Sequence, residues 1–130
     1  MPVDLGRDHV NMQWWIVNVG VRDDGTPFAI TRRFFTNETI RQEIVEILMT
    51  REGLTAENAG ALFGTEFEYI YSPDRRQFAT VRVTHFSQPR IGGNTIFETI
   101  FDDSREDRMI TFHPVDPNHA VGRAAALLPR

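Results

Sequence analysis

His85 is the residue of this sequence best placed for acid–base chemistry, because a histidine can take or release a proton near neutral pH. It stands in the run Thr84-His85-Phe86-Ser87 near the end of a predicted strand. Together with Arg32 and Arg33 it is a candidate site for an anionic ligand or for a small enzyme. Such a site needs a pocket that His85 shares with charged side chains of the predicted second hairpin, namely Glu66, Glu68 or Arg82. The simpler alternative is a strand residue with one hydrogen bond.

The remaining histidines do not complete a catalytic or metal-binding motif. His85-x-Ser87 resembles half of the paired motif of the two-histidine phosphoesterases, but the second hydroxyl is absent after both His113 and His119. Membership of that family is therefore not predicted. His113 and His119 flank Asp116 at a spacing that fits no standard metal site, and we interpret the segment as a polar loop. We predict no metal and no cofactor.

Composition excludes several classes of function. Cysteine is absent, so disulfides, thiolate metal sites and a cysteine nucleophile are excluded. The 14 basic residues are all arginine, and a phosphate-binding loop of the Gly-Lys-Ser/Thr type is impossible without lysine. The net charge is −4 with acids and arginines interspersed, which does not indicate direct nucleic-acid binding. No signal peptide or membrane span is visible, and we expect a cytoplasmic protein.

Two charged patches are candidate partner-binding surfaces. Arg75 and Arg76 lie at a predicted hairpin tip with Tyr71 nearby, a composition typical of protein-binding hot spots. The second patch consists of acids that could meet a basic, nucleic-acid-handling protein; its residues are Asp102, Asp103, Glu106 and Asp107. The alternative for both patches is a solvated turn.

The first predicted element is a hairpin from Met12 to Phe34. Asp24-Gly25 favours a two-residue turn, and that turn length fixes the pairing of the strands. The expected pairs are Val21 with Phe28, Val19 with Ile30, Val17 with Arg32, and Trp15 with Phe34. One of Arg32 and Arg33 then lies on the apolar side, where it must pair with an acid, reach solvent or serve a site.

Two helices are expected next. Thr36 is the predicted N-cap of a long helix with Ile40, Ile44, Ile47 and Leu48 on its apolar stripe and Gly53 at its end. A short helix is predicted from Ala56 to Phe63, ended by Gly64.

Later segments predict more hairpins and a tail. Residues 66–71 and 77–86 form the second hairpin. A three-residue loop would put Phe67, Tyr69 and Tyr71 on the same face as Ala79, Val81 and Val83, and two registers with such a loop remain open. The segment 95–103 fits helix or strand, and we favour a third hairpin with 108–113. The run Ala124–Leu128 is expected to form a helical turn that docks on the core or on a partner.

The predicted fold is α+β. It is an antiparallel sheet of four to six strands built from β-hairpins, with one long and one short helix packed on one face. Residues 1–130 form one domain, with irregular tails at 1–11 and 114–130.

Three hypotheses on function stay open at this point. The first is a non-catalytic protein that binds another protein, such as an inhibitor or an immunity or anti-defence protein of phage or mobile-element type. The second is a self-assembling structural subunit, for example of a phage particle, which makes a homo-oligomer possible. The third is the small enzyme or anion binder that uses His85.

Overall fold

The computed structural model describes residues 3–8, 12–87, 94–103 and 109–129. In this part of the chain six antiparallel strands follow one another in chain order within one sheet, and a seventh strand pairs with the fifth. The strands are β1 Val3–Arg7, β2 Gln13–Val21, β3 Pro27–Phe34, β4 Leu62–Tyr71, β5 Gln77–Ser87, β6 Thr95–Ile100 and β7 His113–Pro114. The helices are α1 Glu38–Thr50, α2 Ala56–Gly60 and α3 Ala120–Ala125. The predicted α+β class with an antiparallel sheet is confirmed.

The β2–β3 hairpin exists, but its predicted pairing is wrong by one residue next to the turn and by two residues beyond the register break at Val17. Its loop has three residues, because the amide of Gly25 donates to the carbonyl of Arg22 at 2.9 Å and the amide of Arg22 donates to Thr26 at 2.8 Å. Gly25 takes a φ of +88°, as in the common three-residue hairpin loop.

The observed pairs in this hairpin are Val21 with Pro27, Val19 with Ala29, Trp15 with Arg32 and Trp14 with Arg33. A break in the register between Ile16 and Asn18 leaves Val17 unpaired. As a result Ile16 and Trp14, and not Val17 and Trp15, are buried with the core.

The two predicted helices are present with different ends. Asn37, not Thr36, caps α1: its side chain accepts from the amides of the second and third helical residues at 3.1 and 3.3 Å. Val45 and Leu48 are buried while Ile47 is 39% exposed, so the predicted stripe is rotated. The shorter helix ends at Gly60, because Leu62 already begins β4.

The β4–β5 hairpin closes at Ser72 and Gln77, whose backbones are joined by a 2.9 Å hydrogen bond. The loop therefore has one residue more than expected. Tyr71 pairs with Phe78 instead of sharing a face with Ala79. A register break after Glu68 then restores the predicted alignment farther along the strands.

The first strand of the predicted third hairpin pairs with a different strand from the one expected. Residues 95–100 form a strand, as favoured, but this strand pairs with β5. The described residues 109–112 form no strand, and β7 pairs with Gln77 and Phe78 of β5. Pairing next to an existing strand is the shorter route, because β5 and β6 are consecutive in the chain.

The expected irregular tails contain regular structure. Val3–Arg7 is an edge strand of the sheet, and Ala120–Ala125 is a helix. The run Ala124–Leu128 docks on the core as predicted, because Ala124 and Leu128 are buried there.

Two apolar clusters hold the helices to the sheet. The first joins α3 to the strands through residues that include Val121, Ala124, Trp14 and Tyr69. The hydroxyl of Tyr71 donates to the carbonyl of Val121 at 2.8 Å within it. The second cluster joins α1 and α2 through Val45, Leu48, Ala59 and Leu62, with Phe35 and Phe97 packed against it. No helix in the described residues is long and apolar enough to cross a membrane.

Candidate functional site

The strand pairing assigns the chemically active side chains to two faces of the sheet. Directly paired residues point to the same side, and one such row crosses β2 to β6 as Trp14, Arg33, Thr65, His85 and Phe97. We call this side the inner face, because α3 packs there against Trp14. The adjacent row, Trp15, Arg32, Glu66, Thr84 and Glu98, points to the opposite side, the outer face. The consecutive residues Arg32 and Arg33 therefore lie on different faces.

Arg32 is held on the outer face by a carboxylate and an aromatic ring. Its Nε donates to Oε1 of Glu66 at 2.9 Å, and its guanidinium carbon lies 5.1 Å from the centre of the Phe86 ring. The terminal nitrogens Nη1 and Nη2 form no hydrogen bond with the described residues. Arg32 is thus fixed in orientation while two of its nitrogens keep free donor hydrogens.

An ionic ladder continues from Glu66 across the outer face. Nη1 of Arg82 donates to Oε2 of Glu66 at 3.0 Å, and its Nε and Nη2 each donate to Oε1 of Glu68 at 3.2 Å. Arg22 completes the ladder by an ion pair with the other oxygen of Glu68. The ladder and the nearby Glu98 together carry three arginines and three glutamates, so this group of side chains has no net charge.

An apolar hollow lies beside the ladder. Its volume is about 290 Å³, and its walls are Trp15, Val17, Arg32 and Phe34. Arg32 is its one charged lining residue. An apolar recess with a few fixed polar groups is the usual form of a binding site, and this volume is close to the lower end of that range. We name these four residues the Trp15 hollow.

Arg33 has a different environment on the inner face. Its guanidinium carbon lies 5.5 Å from the ring centre of Trp14, 5.1 Å from that of Phe35 and 5.1 Å from that of Phe67. Phe35 belongs to the α1 side and Phe67 to the α3 side of the sheet. Arg33 therefore lies where the two apolar clusters meet, among three aromatic rings.

Arg33 has no anionic partner among the described residues. Its Nε is buried and forms no hydrogen bond, and the guanidinium takes part in no ion pair. Burial lowers the pKa of Arg33, while the charge of Asp8 and the nearby Tyr69 raise it. Tyr69 itself is neutral at pH 7, because burial raises its pKa to about 12. A buried guanidinium nitrogen without a hydrogen-bond partner is rare and requires an explanation.

His85 lies on the inner face close to Arg33. Its Nδ1 is 2.9 Å from Oγ1 of Thr65. Burial, with a smaller effect from the Arg33 charge, lowers the pKa of His85 to about 4. The imidazole is therefore neutral at pH 7. The carboxylates of Glu66 and Glu68 and the guanidinium of Arg82 lie on the opposite face, so the pocket required for acid–base chemistry at His85 does not form with them.

The structure therefore brings together two of the three residues proposed for a ligand site. His85 and Arg33 share the inner face, and the charge of Arg33 contributes to the low pKa of His85. Arg32 is on the outer face, paired with Glu66.

The predicted tip patch is divided by the fold. Tyr71 is 1% exposed and lies in the core, so it is not part of the surface at the tip. Arg75 reaches back from the tip and donates to the carbonyl of Pro129. Arg76 is exposed, and binding of a partner by Arg75 and Arg76 stays a prediction.

The predicted acidic patch is described only in part. Asp102 and Asp103 are exposed, and Oδ1 of Asp103 accepts from the amide of Ile110 at 3.2 Å. Glu106 and Asp107 lie outside the described residues. No group of three potential metal ligands occurs in the described segments, which include His113, Asp116 and His119.

Sequence reasoning missed the Trp15 hollow and the ionic ladder. The signal for the ladder was present, since Glu66 and Glu68 alternate at the strand period of two and the hairpin brings Arg82 opposite them. The expected pairs Val17 with Arg32 and Trp15 with Phe34 already placed the four hollow residues on one face, but the sequence pattern did not reveal that this face lies opposite the core.

Comparisons of this chain with protein-family models, with curated proteins and with solved structures find no match.

Proposed function

We propose that this protein acts by binding another protein, without chemistry of its own, and that the partner docks on the outer face at the Trp15 hollow. The observation that carries the proposal is the orientation of Arg32. Glu66 and Phe86 fix its guanidinium at the wall of an apolar recess while two of its nitrogens keep donor hydrogens. Tryptophan and arginine around an apolar recess are the residues that dominate binding energies at protein interfaces.

The charge of the outer face supports a partner of particular chemistry. Arginines and glutamates balance there, so a strongly charged partner surface gains little from it. The proposed partner inserts one apolar side chain between Trp15 and Phe34. It presents a neutral acceptor, such as a backbone carbonyl, to the terminal nitrogens of Arg32. An inhibitor or an immunity or anti-defence protein of phage or mobile-element type is the functional class that we propose.

In this proposal α3 packs on the inner face, and so does the pair of helices α1 and α2. The outer face is then left for the partner. This arrangement is supported by α3, which contacts Trp14 and Tyr69 there. It is also supported by Phe97, an inner-face residue that packs against the cluster of α1 and α2.

The test compares capture by the wild-type chain with capture by Trp15→Ala. The tagged proteins are incubated with lysate of the source cells, and the bound proteins are identified by mass spectrometry. The captured partner is then purified and its dissociation constant measured. We expect Trp15→Ala to weaken binding by about 2 kcal/mol or more, as at a hot spot.

Val21→Ala is the matched control. Val21 lies on the same strand and is 51% exposed, but it does not line the hollow. It should bind the partner as the wild type does. Equal affinity of Trp15→Ala and the wild type for every stoichiometric partner would contradict the proposal.

Self-assembly is a second candidate, favoured by apolar surface at the β1 edge of the sheet. Val3, Val17 and Leu127 are 47%, 37% and 45% exposed and line a second hollow. An edge strand with apolar neighbours is a usual place for contact between subunits. Light scattering of the purified wild type tests this. A large homogeneous particle that Leu127→Asp disperses supports assembly, and a monomer at all concentrations rules it out.

A further inference from the structure

The unpartnered guanidinium of Arg33 is the feature of this structure that calls for a ligand. Among the described residues Arg33 has no hydrogen bond, although its three ring contacts fix its position. Aromatic faces stabilise a cation but accept none of its hydrogen bonds in the guanidinium plane. The buried Nε of Arg33 therefore lacks the partner that buried polar groups in proteins nearly always have.

The surroundings of Arg33 favour an anion with a single charge. Tyr69 is neutral and His85 is neutral at pH 7, so Arg33 is the positive charge of this site. Asp8 acts on Arg33 through its charge, and its carboxylate is engaged by the indole of Trp14 at 2.8 Å and the amide of Met12 at 3.0 Å. That nearby negative charge opposes a doubly charged ligand.

The geometry of the ligand follows from the guanidinium. Arginine presents parallel N–H groups that match the two oxygens of a carboxylate. The three ring centres lie 5.1 to 5.5 Å from the guanidinium carbon, so the surroundings are apolar and accept a singly charged carboxylate at a lower desolvation cost than a phosphate. A short apolar body on the ligand would contact the same aromatic rings.

We propose that Arg33 binds a small monocarboxylate at the boundary between the two apolar clusters, in contact with the aromatic rings of Trp14, Phe35 and Phe67. The ligand is a free small molecule, because the unpartnered Nε atom is buried, where the surface of a second protein does not reach. This site is on the opposite face from the Trp15 hollow and does not depend on the proposed function.

The test is thermal unfolding of the purified chain at pH 7 in increasing sodium acetate, with ionic strength held constant by sodium chloride. Acetate should raise the unfolding temperature of the wild type in a saturable manner, because a ligand that binds only the folded state stabilises it. Arg33→Met, which keeps the length and apolar contacts of the side chain, should weaken acetate binding by about tenfold or more.

Arg32→Met is the matched control, since the adjacent arginine lies on the outer face and is already neutralised by Glu66. It should keep the acetate response of the wild type. Arg33→Lys provides a second variant if Arg33→Met does not fold, and it should also lose most of the response because ammonium lacks the planar fork.

Three results would overturn the proposal. They are an absence of any saturable acetate response in the wild type, an equal response in Arg33→Met or Arg33→Lys, and loss of the response in Arg32→Met. Stronger stabilisation by inorganic phosphate than by acetate would also contradict the assignment to a monocarboxylate.

Discussion

Two consecutive arginines meet opposite environments in this protein. Arg32 on the outer face is ion-paired with Glu66, and its guanidinium side chain is 30% exposed. Arg33 on the inner face has three aromatic neighbours and no carboxylate partner among the described residues. Arg32 therefore forms an ion pair within the sheet, and its terminal nitrogens keep donor hydrogens for a partner. The arrangement of Arg33 leaves a cation among apolar groups, which opposes folding unless a ligand neutralises it.

The comparison shows how strongly strand register decides the role of a residue. Neighbouring residues of a strand point to opposite faces, so one extra residue in the Asp23–Gly25 loop exchanges the environments of Arg32 and Arg33. The register break at Val17 reverses the faces of β2, so Trp14 is buried and Trp15 lies at the hollow. Stability and binding are therefore separated between adjacent residues, and paired substitutions can test that separation.

The largest effect is expected from the tryptophan pair. Trp14 is 3% exposed and contacts Phe67, His119 and Arg33. Trp14→Ala should lower the free energy of unfolding by about 3–5 kcal/mol, the usual result of removing a buried large aromatic side chain. Trp15→Ala should lower it by about 1–2 kcal/mol, because Trp15 is only half-buried.

Urea unfolding followed by circular dichroism measures both tryptophan variants. A greater loss of stability in Trp15→Ala than in Trp14→Ala would show that the observed register is wrong.

The second prediction concerns pH and the inner face. The pKa of His85 is about 4 in the folded chain, lowered by burial, against 6.5 for a free histidine. The unfolded chain therefore binds the extra proton first as pH falls. Stability is complete above pH 6.5 and should decline between about pH 6.5 and 4, by at most about 3 kcal/mol.

The control for this decline is His85→Gln, which cannot titrate in that window. The difference in unfolding temperature between the wild type and His85→Gln is followed from pH 7 to pH 4. A difference that stays constant with pH would contradict the burial of a neutral imidazole beside Arg33.

The third prediction tests the ionic ladder of the outer face. Glu66→Gln removes the charge shared by Arg32 and Arg82 and should lower stability by about 1–2 kcal/mol, less at high salt. Glu98→Gln is the comparison, because Glu98 is 39% exposed and its carboxylate is 4.0 Å from Arg82. It should change stability by less than about 0.5 kcal/mol. Equal urea midpoints for the two variants would show that the ladder does not stabilise the sheet.

The sequence predicted the types of most elements but not the register that places the site. Alternating apolar residues and helix caps located β2, β3, α1 and the second hairpin, because these signals are local. The length of the first hairpin loop could not be predicted from the residues in the loop. Asp24-Gly25 fits a two-residue turn, yet the loop has three residues and Gly25 has a positive φ. The edge strand Val3–Arg7 was missed because it is short and polar, and it is stabilised by the distant elements β2 and α3.

The candidate site was predicted in part for the same reason. The sequence indicated that one arginine of the pair must lie on the apolar side, and His85 was expected on a strand. Which arginine lies on the same face as His85 depends on the pairing of three strands, β3, β4 and β5. An error in the length of any turn or bulge changes that pairing. The ring contacts of Arg33 come from Trp14, Phe35 and Phe67, which only the folded sheet brings together.

The most direct test of the contrast between the two faces is the free energy of unfolding of Arg32→Met and Arg33→Met, measured in the same urea series without carboxylate buffers. Arg32→Met should lose about 1 kcal/mol with its ion pair to Glu66. Arg33→Met should be at least as stable as the wild type. Methionine keeps favourable contacts with the three rings, and its substitution removes an unpaired buried charge. A greater loss of stability in Arg33→Met than in Arg32→Met would show that the Arg33 cation stabilises the fold, and the contrast between the two arginines would be refuted.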